Sequence, residues 1–152
     1  MQGKRDVRRA LLYALAQARQ ARVQLRKAKA RLRNKPPEQT RQLLLMIETL
    51  DIALEAIIIR LDTMLSANLY GVELLGLPIE LVRRLKPMTR GLPPVIRELV
   101  DSVGESLEVA SKWVPGGFEG LGLREEIREE AKKIIEEAEK EARKRLEESL
   151  EG

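Results

Sequence analysis

Residues 7–32 read VRRALLYALAQARQARVQLRKAKARL, and the spacing of their apolar side chains predicts one long helix. The apolar positions advance by alternating steps of four and three, through Val7, Leu11, Ala14, Ala18, Ala21, Leu25, Ala28 and Leu32. This heptad spacing places them along one side of a helix, as in helices that pack along their full length. Four of the eight are alanine, so a partner helix can approach closely. The stretch therefore predicts an all-α fold built around this helix.

A second helix with the same spacing follows a short break. Pro36 ends the first helix, because proline disfavours the α conformation in the residue before it, whereas Pro37 suits the first turn of a new helix. The new helix has its own apolar seam: Leu43, Ile47, Leu50, Leu54, Ile57, Leu61 and Met64. Two long seams joined by a tight connection predict a long antiparallel helical hairpin.

The chain beyond Gly71 predicts short helices bounded by prolines. One is expected to begin at Pro78 and to end before Pro87, and the next is expected to begin at Pro93 and Pro94. Together with the hairpin, these helices would form a core over residues 1–114.

The remaining segments predict a linker and a charged terminal helix. Residues 115–123 are rich in glycine and should form a flexible Gly/Pro linker. Residues 124–152 place Glu four residues before Lys or Arg several times, which favours an amphipathic C-terminal helix. Trp113 and Phe118 flank the Pro-Gly break, and we expect them to cap the apolar end of the bundle rather than to enter a lipid interface.

The composition argues against an enzyme. The chain has no cysteine and no histidine, which removes disulfides, thiolate nucleophiles, the commonest metal ligand and the usual general base. Glu48, Glu55 and Asp62 repeat at heptad spacing on the second helix, but carboxylate metal sites of helical bundles also use histidine. We therefore expect no catalytic, metal or cofactor site.

The apolar runs are short, and charged residues are abundant. No run approaches the roughly 20 residues that a spanning helix needs, and we expect a cytoplasmic protein. Charged residues make up 34% of the chain, and enrichment in Glu, Lys and Arg is typical of thermophile proteins.

Charge is distributed unevenly along the chain. Residues 1–35 hold twelve Lys or Arg and one acid, a net charge of +11. Residues 101–152 hold nine Lys or Arg and fifteen acids, a net charge of −6.

Five cations of the first helix repeat at steps of three and four as one stripe: Arg19, Arg22, Arg26, Lys29 and Arg33. No acid occurs between Asp6 and Glu38, whereas an ordinary solvated face mixes charges of both signs. The stripe predicts binding to an anionic surface, which we expect to be a membrane. Nonspecific binding to nucleic-acid phosphates stays open, because it needs only cations.

The second helix carries more apolar surface than one partner helix can cover. The surplus apolar side chains and the line of acids at heptad spacing, which we call the acid line, form a candidate self-assembly surface: Ile57, Ile58, Ile59, Leu65, Glu48, Glu55 and Asp62. Two alternatives remain at this stage. Later helices of the same chain would cover the apolar excess, and the acids would pair with basic residues of their own hairpin.

Three stretches resemble the ESCRT-III proteins, and the archaeal ESCRT-III-like cell-division (Cdv) proteins most of all. Leu54-Glu55 with residues 59–63 (IRLDT) is similar to a Leu-Glu…Ile-Arg-Leu-Glu-Thr stretch of that family. Residues 94–99 (PVIREL) resemble its Pro-Glu-Val…Glu-Leu segment, and residues 129–138 (EEAKKIIEEA) resemble its late Glu/Ala-rich helix.

The resemblance implies a membrane-remodelling function. A member of this family polymerises on the cytoplasmic membrane face in cell division or vesicle scission, with itself or with paralogous subunits. The family's terminal helix folds back on the hairpin and opposes assembly. The resemblance also implies a docking site for an AAA-type disassembly ATPase, whose acidic, Arg and Leu positions match Glu139, Arg145 and Leu146. The alternative function is that of a nonspecific nucleic-acid-binding coiled-coil protein.

Overall fold

Helices account for nearly all of the residues that the structure, a computed structural model, describes: 2–35, 37–114 and 125–151. They are α1 (Gln2–Leu32), α2 (Pro37–Ala67), α3 (Val72–Leu85), α4 (Pro94–Lys112) and α5 (Glu125–Glu151), with a 3₁₀ turn at Lys86–Thr89. These ranges contain no strand, and the predicted all-α class is confirmed. The predicted linker and Phe118 lie outside the described residues. Within them, no helix combines the length and the apolar character needed to cross a membrane.

The first two helices form the predicted antiparallel hairpin. Near one end, Arg8 of α1 donates to the carbonyl oxygen of Leu65 at 3.3 Å, and further along, Arg22 contacts Asp51. Both apolar seams are buried between helices, apart from their half-buried members Leu32 and Leu43 beside the turn.

The hairpin is one part of a bundle in which α1 lies between α2 and α4. α1 packs against α4 more extensively than against α2, and α2 packs against α5 on its other side. α3 contacts α2, α4 and α5 and so closes the bundle. The alanines of the α1 seam are buried where these helices meet, because their small side chains let two neighbours approach at once.

α3 is longer than the prolines predict. The expectation that a helix begins at Pro78 is wrong, since α3 begins at Val72 and contains Pro78. A proline inside a helix costs about 3 kcal/mol. Here the helix buries six large apolar side chains, each worth about 1.5–3 kcal/mol: Leu75, Leu77, Ile79, Leu81, Val82 and Leu85. That burial outweighs the cost of the proline.

α5 lies against α2 and α3 rather than apart from the bundle. Its buried stripe consists of Ala131, Ile135, Ala138, Ala142 and Leu146. Arg60 lies 3.8 Å from Glu130, and Glu48 lies 3.7 Å from Arg145, so α5 runs antiparallel to α2. The narrow stripe predicted for the terminal helix is therefore its contact surface with the rest of the chain.

Gly104 lies where α4 packs closely against α3. A Cβ atom at this buried position would lie 3.1 Å from Cγ1 of Val82 and 3.4 Å from Cε of Lys86. The glycine weakens the helix by about 1 kcal/mol relative to alanine, but it leaves room for the neighbouring helix.

Gly104→Leu should lower the free energy of unfolding by about 1–3 kcal/mol, because overpacking a dense interior costs that much. The control is Glu98→Leu, which adds the same side chain at an exposed position of α4 and should change stability by about 0.5 kcal/mol or less. Urea unfolding followed by circular dichroism measures both. Equal stabilities of the two variants would contradict the close packing at Gly104.

Candidate functional site

The cations of α1 fall into two groups with different surroundings. One group faces the acid line of α2. Arg22 Nε donates to Asp51 Oδ1 at 2.8 Å, and its Nη2 lies 3.5 Å from Glu55 Oε2. The hydrogen bond with Asp51 raises the pKa of Arg22 above its ordinary value; burial opposes the rise, and the charges of Asp51 and Glu55 add to it. Arg22 is therefore a fixed positive charge inside the hairpin.

Two further pairs extend this contact along the hairpin. Arg19 Nη2 lies 3.3 Å from Asp62 Oδ2, with both side chains about half exposed. Lys29 forms an ion pair with Glu48, which is buried with 4% of its surface exposed. Arg145 of α5 forms a second ion pair with Glu48, with its Nη1 atom 3.7 Å from Oε2. Glu48 therefore joins three helices, because cations from α1 and α5 meet at its carboxylate on α2.

These contacts place the predicted membrane-binding residues. Arg19, Arg22 and Lys29 face α2, in the pairing that the sequence left open as the alternative for the acid line. Arg26 and Arg33 are exposed. A membrane-binding role of the stripe stays a prediction, but three of its five members have intramolecular partners.

A second group of α1 cations lies on the solvent-facing side of the helix, opposite the apolar seam. We define the outward stripe by its exposed residues, which advance by three or four as far as Lys27 and end at the two residues three and four beyond it: Arg5, Arg9, Leu12, Ala16, Gln20, Val23, Lys27, Ala30 and Arg31. Among the described residues, no ion pair or hydrogen bond involves Arg5, Arg9, Lys27 or Arg31. This pattern is visible in the sequence too, but the register of α2 against α1 determines which of the two cationic stripes remains exposed.

A cavity of about 300 Å³ lies where α1, α2 and α5 meet. Its wall holds the cations Arg26, Lys29 and Arg145 and the acids Glu48, Asp51 and Glu148. Three charges of each sign balance, so the cavity favours neither an anion nor a cation. In the described ranges, no group of acidic side chains is arranged to hold a metal ion.

The predicted self-assembly residues are mostly buried in this chain. Ile57, Ile58 and Leu65 belong to its core, while Ile59 is 58% exposed. Other helices of the same chain thus cover most of the apolar excess of α2. Self-assembly through these residues stays a prediction, and the buried members can take part only if the bundle opens.

The residues matched to an ATPase-docking motif lie on the inner side of α5 or beside it. Leu146 is buried, Glu139 is half-buried, and Arg145 pairs with Glu48 and with Glu141 of its own helix. An ATPase would reach Leu146 only after α5 leaves the bundle.

Trp113 does not cap the apolar end of the bundle, and that expectation is wrong. Its ring is 54% exposed at the end of α4, because the buried stripe of α4 continues from Ala110 to Val114 instead. Trp113 lies across a groove from Tyr13 of α1, which is 56% exposed. Spacing alone could not place this groove, since it depends on α4 packing beside α1.

Comparisons with protein-family models, with curated proteins and with solved structures find no match to this chain.

Glu48→Ala should lower the free energy of unfolding by about 1–3 kcal/mol, since it removes the buried carboxylate that pairs with the partly buried cations Lys29 and Arg145. Asp62→Ala is the matched control; its pair with Arg19 is half exposed and screened by solvent, so the loss should be about 0–1 kcal/mol. Urea unfolding compares the two variants. A larger loss for Asp62→Ala would contradict the central position of Glu48.

Proposed function

We propose that this chain is an ESCRT-III-like membrane-remodelling protein that binds an anionic membrane through the outward stripe of α1 and assembles there with other copies of itself. The observation that carries the proposal is the set of exposed, unpaired cations Arg5, Arg9, Lys27 and Arg31 on one face of one helix. Each cation held near an anionic bilayer contributes about 1 kcal/mol, so four supply a useful binding energy.

The residues between these cations favour a membrane over a nucleic acid. Leu12 and Val23 are exposed on the outward stripe, with Ala16 and Ala30 beside them. On a bilayer, such side chains gain by entering the boundary between headgroups and acyl chains. On a duplex backbone, the cations alone would contribute, and the apolar residues would remain in water.

Self-assembly is proposed to need a rearrangement of α5. The apolar residues predicted to join subunits are buried, and α5 covers part of α2. The contact stripe of α5 contains three alanines, so its release forfeits less apolar burial than release of a leucine-rich helix would. The family resemblance supports the same arrangement, with a terminal helix folded back on the hairpin and an ATPase that binds it after release.

Changing Arg5, Arg9, Lys27 and Arg31 to glutamate should abolish sedimentation with vesicles of equal parts phosphatidylcholine and phosphatidylserine. At ~0.1 M salt, surface charges act over only about 10 Å, so the position of the change matters. The matched control changes Lys132, Lys133, Lys140 and Lys144, exposed on α5, to glutamate and alters net charge equally. We expect the control to sediment like the parent.

The same samples are incubated with duplex DNA to test the alternative function. Parent protein that binds DNA but not vesicles would replace the membrane proposal with the nucleic-acid one. Vesicle binding that survives reversal of the outward cations would also contradict the proposal.

Ala138→Asp with Ala142→Asp should promote assembly in the full-length chain. Both alanines are buried in the α5 contact, where a carboxylate without a partner is costly. The control, Lys140→Gln with Lys144→Gln, makes the same change in net charge at exposed positions. Sedimentation velocity on anionic vesicles and in solution should detect larger species for the aspartate variant alone. The proposal that docked α5 opposes assembly would be contradicted if hydrogen exchange showed α5 released in the aspartate variant while its assembly state stayed that of the parent.

A further inference from the structure

A groove of about 490 Å³ runs between the first half of α1 and the last half of α4. Tyr13 and Ala10 lie on its α1 side, and Val109 and Trp113 lie on its α4 side. Arg9, which belongs to the outward stripe, also borders it. The groove is therefore continuous with the surface proposed to bind membranes.

The groove exposes aromatic surface that is scarce in this chain. The sequence contains one tryptophan, two tyrosines and one phenylalanine, yet Trp113 and Tyr13 are both more than half exposed. Val109 is exposed beside them. Exposed tryptophan and tyrosine side chains are enriched where a protein meets a partner or a lipid interface, because one end of each ring is apolar and the other is polar.

The exposed cations next to the groove favour an anionic partner. The groove itself is lined by one cation, Arg9, and by two acids, Asp6 and Glu105. Lys4, Arg5 and Lys112 are exposed and adjoin in sequence the residues at its Trp113 end, where a Cβ at Gly3 would lie 3.8 Å from the Trp113 carbonyl oxygen. A positive surplus beside amphipathic rings matches a lipid interface, where phosphates lie above the buried ends of tryptophan and tyrosine side chains.

We propose that this groove is the part of the protein that enters the membrane interface, with Trp113 and Tyr13 at the level of the headgroups and Arg9 on a lipid phosphate. This inference rests on the proposed function and deepens it, because it identifies the inserting element and the orientation of the bundle. The bilayer would lie against α1 and α4 together, rather than against the α1–α2 hairpin.

Trp113 is the chain's one tryptophan, so its fluorescence reports on the groove alone. Adding vesicles of equal parts phosphatidylcholine and phosphatidylserine should move its emission maximum to shorter wavelength. Lipids brominated near the headgroup end of the acyl chain should quench it more than lipids brominated near the chain terminus. Moving the tryptophan by Trp113→Phe with Leu69→Trp places it at an exposed site outside the groove, and this emission should stay unchanged.

A binding measurement provides the second readout. Tyr13→Ala with Val109→Ser should weaken vesicle binding about tenfold, since the apolar contact of two side chains is lost. The control, Leu69→Ala with Val95→Ser, removes exposed apolar surface outside the groove and should bind like the parent. All four positions are exposed, and circular dichroism verifies that the variants fold.

The outcomes separate this inference from the proposed function. Parent protein that sediments with vesicles without a change in Trp113 emission overturns the inference and leaves the proposed function standing. Parent protein that does not sediment overturns both. If the emission maximum of Trp113 shifts with protein concentration in the absence of lipid, the groove is a contact between copies of the chain, and the inference is overturned.

Discussion

The pairing of α1 cations with α2 acids is the interaction on which the rest of the structure depends. α1 has no acid after Asp6, so one of its sides can pack against a neighbour only if that neighbour supplies carboxylates. α2 does so through Glu48, Asp51, Glu55 and Asp62, which meet Arg19, Arg22 and Lys29. Once α2 occupies this side and α4 occupies the next, the third side of α1 remains in solvent, and no described residue pairs with its cations Arg5, Arg9, Lys27 and Arg31.

The same pairing connects the terminal helix to the hairpin. Glu48 is neutralised from α1 by Lys29 and from α5 by Arg145, so the position of α5 and the charge balance of the hairpin are coupled. In the proposed function, α5 would leave at modest cost, because its contact stripe is alanine-rich and another of its ion pairs, Arg60 with Glu130, is partly exposed. The proposal thus separates an exposed surface on α1 from a second surface that would become available once α5 leaves.

Much of the fold could be predicted from sequence, and the candidate site could be predicted in part. The heptad seams of α1 and α2 specify an antiparallel hairpin, because side-chain spacing alone determines which faces are apolar. Spacing does not say which helix an alanine seam meets, so α4 as the main neighbour of α1 was not predictable. Pro78 lies inside α3 because burial of the surrounding leucines outweighs a local penalty. The stripe from Arg19 to Arg33 and the outward stripe look equally cationic in sequence; the register of α2 distinguishes them. Trp113 is exposed for a similar reason, since tertiary packing decided which residues of α4 turn inward.

α1 divides its cations between a contact with α2 and an exposed surface that we propose to meet a membrane. Because the chain has no cysteine, single-cysteine variants along α1 each carry one spin label. Labels at Ala16, Gln20, Val23 and Lys27 of the outward stripe, and at Arg22 and Lys29 on the side that faces α2, would report their depth in anionic vesicles through collisions with oxygen and with a water-soluble relaxant. We expect a helical period of immersion with maxima at the four outward positions and minima at Arg22 and Lys29, which lie on a different side of the helix. Maxima at Arg22 and Lys29, or immersion without a helical period, would contradict membrane binding through the outward stripe.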